Sequence, residues 1–308
     1  MAAPVSVLSA LLGVAPDGPD TFIGPPNGPA GKRAYGGHLA AQALAAAYRT
    51  VGSDRVVTSL HVQFLRGGDA GEPVRYEVER LHDGRSSSSR RVLGRQGDRT
   101  LISATALFAV PADGPQHSDH PTSCPRGVED PEALARTGPI GPAPALPLGE
   151  IDIRIHDDRD GDEFVRRLWW RVTADLPEDP VLHACAAIYV TDIYGVDPVL
   201  AVHGHSMTDR SHHAATTDSS TWFHRDIRAD QWNLLESRSP AAARGRGVMI
   251  AGLFGADGIR VGTAVHEGQA VTRVPEADVR GPAPRPTIPM AGVDAGTLLQ
   301  RMRDEERY

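Results

Sequence analysis

Residues 37–48 read GHLAAQALAAAY, and residues 56–65 read VVTSLHVQFL. The first stretch is rich in Ala and has no Gly or Pro after its opening residue, which predicts a long, largely buried helix. The second is rich in Val, Leu and Phe with alternation, which predicts a strand. Working outward, residues 74–81 alternate through Val74, Tyr76 and Val78. Residues 88–94 and 101–110 continue the strand pattern, with a turn near Gly97 and Asp98. The same order returns further on. Residues 164–173 read as a strand, and 180–194 (PVLHACAAIYVTDIY) as an apolar helix. Strands follow at 220–225, 232–237, 245–255 and 259–271, with a turn at Ala256-Asp257-Gly258. Phe64-Leu65-Arg66 superposes on Phe223-His224-Arg225 at an offset of 159, and Leu101-Ile102-Ser103-Ala104 on Val261-Gly262-Thr263-Ala264 at 160. The chain is therefore read as an α+β internal repeat. Each unit is a helix wrapped by a curved antiparallel sheet, and two such units side by side can make one continuous sheet.

Pro and Gly mark the boundaries. Residues 111–155 hold a Pro-rich stretch that supports neither a helix nor a central strand. A second such stretch opens near Pro275. The expected organisation is an N-terminal unit at 1–110, a linker at 111–155, a C-terminal unit at 156–273 and a tail at 274–308, the last with a short helix over 295–303. The 308-residue chain has a formal charge of -7, so no global basic field points to nucleic acid or an anionic membrane. An anionic ligand needs a local cluster of Arg. Cys124 and Cys185 lie far apart outside any paired-cysteine motif and read as free thiols of a reducing compartment. Residues 5–14 are apolar, but no Lys or Arg precedes them, and they fall short of the ~20 residues of a membrane span. They predict a short amphipathic helix, no membrane insertion and a cytoplasmic protein.

A duplicated fold with one reaction centre shows its chemistry where the repeat breaks. The first helix carries no carboxylate, whereas the second carries Asp192 near its end. The position matching His266 is Ala106 in the first unit. Thr216 and Thr217 precede the strand Thr221-Trp222-Phe223 and offer a hydroxyl that can donate to a carboxylate and accept from water. Gly36 and Gly37 stand at the start of the first helix, where free amides and the helix dipole favour an anion. Arg85, Arg90 and Arg91 flank a run of serines and are candidates to meet a phosphate, a solvated hairpin edge being the alternative. His203, His205, His212 and His213 lack metal-ligand spacing and read as a His-rich loop, so neither a metal nor a cofactor is expected. There is no GxSxG elbow, no P-loop and no GxGxxG.

At these residues the sequence resembles the acyl-CoA thioesterase II family. The resemblance spans about residues 5–110 and 160–273. It is carried by Asp20-Thr21-Phe22-Ile23-Gly24-Pro25, by Gly36-Gly37-His38 before Gln42-Ala43-Leu44, by His61-Val62-Gln63-Phe64-Leu65-Arg66-Gly67-Gly68-Asp69, by Asp83-Gly84-Arg85-Ser86, by Thr191-Asp192, by Trp222-Phe223-His224-Arg225, and by Val265-His266-Glu267-Gly268. It implies a double-hotdog fold and an Asp, Thr and Gln set that activates water. Asp192 matches the Asp and Thr216 the Thr, with Thr217 beside it as the alternative. His266 stands where the family has Gln, and an imidazole there still hydrogen-bonds water but also titrates. The expected function is hydrolysis of an acyl-CoA thioester, with the amides of Gly36, Gly37 and His38 receiving the carbonyl oxygen and Arg85, Arg90 and Arg91 meeting the CoA phosphates. The departures point to an unusual or bulky acyl group. Two alternatives remain at this level: a hotdog hydratase or dehydratase acting on an enoyl or hydroxyacyl thioester, and an acyl-CoA binding protein that has lost turnover. Association into a homo-oligomer is compatible with either.

Overall fold

Two strands from opposite halves of the chain, β3 (Val56–Phe64) and β9 (His212–Phe223), lie antiparallel side by side at the centre of one twelve-stranded sheet. Their ladder runs from Ser59 opposite Trp222 to Gln63 opposite Asp218. Its middle pair is His61 and Ser220, which are 159 residues apart, and His61 Nδ1 lies 2.9 Å from the Ser220 hydroxyl. The offset read from the sequence is therefore also the offset of the structural repeat. The computed structural model describes residues 6–121, 130–135, 149–160 and 163–273.

On one side of this seam lie β2 (Thr21–Gly24), α2 (Gly36–Tyr48), β4 (Val74–Asp83), β5 (Ser87–Gln96) and β6 (Arg99–Ala109). On the other lie β8 (Glu163–Val172), α3 (Pro180–Thr191), β10 (Asn233–Ala243), β11 (Arg246–Phe254) and β12 (Arg260–Thr272). The strand order is β2-β4-β5-β6-β3 in the first unit and β9-β12-β11-β10-β8 in the second, the same order run backwards from the seam. A short α1 (Val7–Leu12) and the two-residue β1 (Ala15–Pro16) precede the first unit, β1 extending the sheet beyond β2. At the far edge β7 (Ile151–Asp160) pairs with β8. A fourth helix, α4 (Asp197–Ala201), follows α3.

The sheet wraps around α2 and α3, which pack on each other. In α2, every residue from Gly37 to Leu44 is buried, and the Ala side chains allow a neighbouring backbone to approach closely. α3 starts on Asp179, whose side chain accepts from the Val181 amide, with Pro180 in the first turn where its missing N–H is not needed. The helices are antiparallel. Tyr35, just before α2, donates its hydroxyl to the Tyr189 carbonyl near the end of α3 at 2.6 Å. The two rings meet edge to face with centroids 4.9 Å apart.

Most expected elements are present where the sequence placed them; β1 and β2 are additional, α3 ends at Thr191 and not at 194, and four further differences are informative. β7 begins at Ile151, inside the stretch read as linker, because Ile151 and Ile153 are core residues on a polar-looking strand. β9 begins at His212, so His212 and His213 belong to a strand and not to a His-rich loop. β10 continues through Pro240, where pairing with β11 slips between Arg238 and Ala241 and no ladder donor is required. α4 was not foreseen, because Pro198 hid a short helix that it in fact opens. The expected helix over 295–303 and Cys124 lie outside the described residues, whereas Cys185 is buried and free. The N-terminal apolar stretch forms α1 with Leu8 and Leu12 buried, tied down by Glu150, which accepts from the amides of Val7 and Leu8. Among the described residues no helix is long and apolar enough to cross a membrane.

Arg166 on β8 connects the sheet to α4. It pairs with the buried Asp197 and, at 2.7 Å, with Asp157. Replacing it with Met leaves the Asp197 carboxylate buried without its cation. Arg166→Met is expected to lower the unfolding free energy by about 3–5 kcal/mol, measured by urea denaturation.

Candidate active site

Where α3 ends, Asp192 is its C-cap residue, and the chain turns through Gly195 towards α4. Asp192 Oδ1 accepts a hydrogen bond from Thr216 Oγ1 at 3.0 Å. His266 Nδ1 lies 3.6 Å from the same oxygen. His266 is 1% exposed, and neither of its ring nitrogens has a hydrogen-bond partner among the described residues. A buried polar atom with no partner is costly, so an imidazole held in this way beside a carboxylate calls for a partner such as water.

The three groups meet at Gly195. A Cβ at this position would stand 2.7 Å from His266 Nδ1 and 3.0 Å from both Asp192 Oδ1 and Thr216 Oγ1. Only a glycine lets these three groups, a carboxylate, a hydroxyl and an imidazole, pack so closely against the chain and against one another. On its other side the carboxylate meets α2. A Cβ on Gly36 would be 2.7 Å from Asp192 Oδ2. The N-cap residue Tyr35 offers no side-chain bond to the first turn of α2, so the amides there keep their anion-binding character. Burial first, and then the charge of Asp192, raise the Tyr35 hydroxyl well above the usual phenol range.

A bulge aims the threonine. Between Asp218 and Thr216, β9 slips by one residue against β12. Thr217 is the extra residue, and its hydroxyl goes to Glu267 Oε2 at 2.8 Å. Thr216 is thereby turned to Asp192 and Thr217 away from it. The first unit carries the matching slip at Thr58, between Val57 and Ser59 of β3, 159 residues earlier. There Val57 stands in place of Thr216. Ala106 sits opposite Leu60 and Arg90, and His266 sits opposite Ser219 and Met249, each of these partner pairs again being 159 residues apart. The first unit thus has an apolar residue at two of the three positions.

Gly36, Leu39, Phe64, Asp192 and Thr216 line a cleft of about 260 Å³. Gly37, His38 and His266 do not line it, the imidazole lying behind Asp192 and Thr216. Gly37 is packed against Tyr35 and the Tyr189 carbonyl, and the His38 ring turns to the Pro25 carbonyl at 3.2 Å. Of the expected anion-binding group, only Gly36 faces the cleft. The expected arginine cluster is not assembled. Arg90 is fully buried and donates to Thr50, His82 and Asp83, because its even position on β5 points to the helices. Arg91 points from the opposite face, 3.9 Å from Glu79, and Arg85 lies in the turn at the far end of β5. Gly195 was missed in the sequence, although its place three residues after Asp192 and before a helix start was a signal of a tight approach.

Comparison with known proteins gives a consistent picture. Residues 24–109 match a model of the acyl-CoA thioesterase N-terminal domain, and residues 121–270 one of the acyl-CoA thioesterase C-terminal domain. The chain is 29% identical over 293 residues to the human protein named acyl-coenzyme A thioesterase 8, covering 85% of this chain and 88% of that protein. It is 28% identical over 251 residues to acyl-CoA thioesterase 2 of Haemophilus influenzae, covering 77% of this chain and 87% of the relative. Among solved structures, the acyl-CoA thioesterase II TesB2 of Mycobacterium marinum superposes with a TM-score of 0.72 at 30% identity, over 88% of this chain and 99% of that one.

Two expectations follow from the geometry. Gly195→Ala places a methyl group among Asp192, Thr216 and His266, and is expected to cut turnover of the native substrate by about 100-fold or more with the far-UV circular dichroism unchanged. The second concerns acid stability. Burial lowers the His38 imidazole from 6.5 to about 4, so the unfolded chain binds this proton more tightly than the folded one. The contribution is complete above pH 6.5 and is lost as pH falls towards 4, by up to roughly 3 kcal/mol. Urea denaturation across that range should show the loss, and His38→Asn should flatten it.

Proposed function

We propose, since the chain belongs to the acyl-CoA thioesterase family, that it hydrolyses an acyl-CoA thioester with a water held by Asp192, Thr216 and His266. The observation that carries this reading is the convergence of three polar atoms on Gly195. Asp192 takes a proton from the water as its oxygen attacks the thioester carbonyl carbon. Thr216 and His266 fix the water's orientation, which lowers the entropic part of the barrier. The carbonyl oxygen becomes an oxyanion, and the Gly36 end of α2 faces it with free amides and the positive end of the helix dipole. Collapse of the tetrahedral intermediate expels the CoA thiolate and leaves the free acid. The apolar wall formed by Leu39 and Phe64 takes the acyl group.

The repeated strand order, together with the family, supports a finer description of the fold as two hotdog units fused in one chain, with the catalytic groups drawn mainly from the second. The imidazole at position 266, where the resemblance implies an amide, leaves water contact possible and adds a titratable group. The bulky-acyl reading from the sequence is kept as the first substrate class to examine.

Asp192→Asn is expected to lower kcat by roughly 10²–10⁴-fold with little change in stability. Release of free thiol across a panel of straight-chain, aromatic and polycyclic acyl-CoAs measures it. Undiminished turnover in that variant would remove Asp192 from the mechanism.

A further inference from the structure

Arg33 and Arg66 stand at the mouth of the cleft that holds Asp192. Neither they nor the neighbouring Lys32 form an ion pair among the described residues. Exposed arginines elsewhere do both: Arg80 pairs with Asp20 and Arg246 with Glu267, whereas Arg49 and Arg238 form no ion pair among the described residues. A second recess of about 610 Å³ begins where the cleft ends, sharing Arg33, Gly67 and Gly68 with it, and Lys32 and Arg99 stand on its walls.

This recess is rigidly made. The Ala34 amide donates to the Gly68 carbonyl at 2.8 Å, and the Ala70 amide to the Lys32 carbonyl at 2.7 Å. The Gln96 side chain accepts from the Asp69 amide at 2.8 Å and donates to the Asp69 carbonyl at 2.7 Å and the Glu72 carbonyl at 3.1 Å. Arg99 donates to the Gly67 carbonyl at 3.1 Å, and Arg66 to the Thr100 carbonyl at 3.3 Å. Two carboxylates also line the recess. Asp69 accepts from the Gly31 and Gly71 amides, each at 2.8 Å, so its charge is spent on the loop itself. Glu72 is the other. Lys32, Arg33 and Arg99 stand against Asp69 and Glu72 on its walls, in a chain whose net charge is -7.

We propose that this recess and the adjoining mouth of the cleft bind the phosphates at the nucleotide end of CoA, with Arg33, shared by both, and Arg66 at the mouth as the main contacts. The assignment rests on the thioesterase reading and deepens it. A substrate that enters the cleft with its carbonyl beside Gly195 leads its pantetheine arm outward past Arg33 and Arg66. Guanidinium groups suit phosphates because two parallel N–H donors match two oxygens. Arg85 and Arg91, the candidates from sequence, are separated from this end of the sheet by the length of β5 or by its opposite face.

The test uses the full chain and two readouts. Binding of free CoA, followed by calorimetry, is expected to weaken by about tenfold for each of Arg33→Gln and Arg66→Gln. In steady-state hydrolysis, the double variant should raise KM for acyl-CoA by about tenfold or more beyond any change in KM for the matching acyl-pantetheine, which lacks the nucleotide. An Arg85→Gln/Arg91→Gln protein should bind free CoA as the wild type does. If the arginine variants bind free CoA with wild-type affinity, or if the Arg85 and Arg91 changes are the ones that weaken it, the assignment is overturned while thioester hydrolysis stands. If the wild type binds free CoA through Arg33 and Arg66 but hydrolyses no acyl-CoA, the recess is upheld and the hydrolytic reading fails.

Discussion

The antiparallel ladder between β3 and β9 is the constraint on which the rest depends. Because its middle pair is His61 and Ser220, the two units are related by a local two-fold through that point. Such a relation leaves little choice about the helices. α2 and α3 must run in opposite directions across the seam, and the start of one must face the end of the other. Tyr35 bonded to the Tyr189 carbonyl is the direct sign of this. The cleft forms at that junction, between a helix start from one unit and a helix end from the other. Neither unit contains both.

A two-fold creates two such junctions, and the chain has equipped one. At the first, Asp192, Thr216 and His266 converge on Gly195, where no side chain would fit. At the second, Val57 and Ala106 occupy the positions of Thr216 and His266. The reason is energetic. A buried imidazole without a partner and a nearly buried carboxylate both cost free energy unless a water or substrate satisfies them. Apolar residues at the idle junction avoid that cost and repack the core. Fusion of two units in one chain is what permits the divergence, since two copies of one short chain would carry the same residues at both ends.

Much of this was legible in the sequence, for identifiable reasons. The helices and strands showed through Ala content and alternation, and the repeat through a constant offset that the ladder reproduces at His61 and Ser220. The break in symmetry at Ala106 and His266 singled out an imidazole that the fold sets 3.6 Å from Asp192. What was not legible depended on which way a residue points. Arg90 looks like its neighbour Arg91, yet strand parity buries one and exposes the other. Thr216 and Thr217 are chemically identical, and only a bulge sends one hydroxyl to Asp192 and the other to Glu267. Gly195 carries no side chain to draw attention, and its importance lies in the close approach it allows. The arginines that flank the cleft, Arg33 and Arg66, stand in a loop and after a strand end, where no periodicity marks them.

The position of Asp192 carries an electrostatic penalty that the fold answers. A carboxylate at a helix C-terminus faces the negative end of the helix dipole, an unfavourable interaction of about 0.3–1 kcal/mol near a surface and more where water is scarce. Asp192 is the C-cap residue of α3, so α3 alone disfavours its charge. The antiparallel partner supplies the opposite pole. Gly36, in the first turn of α2, approaches Asp192 Oδ2 closely enough that a single added carbon would stand 2.7 Å from it. The glycine thus brings the positive end of one helix against an anion held at the negative end of the other. Gly36 also faces the cleft, so in the proposed reaction one helix start would serve both the resting carboxylate and the developing oxyanion. That economy requires the backbone at Gly36 to be bare, and it follows from the direction in which the β3–β9 seam forces the helices to run.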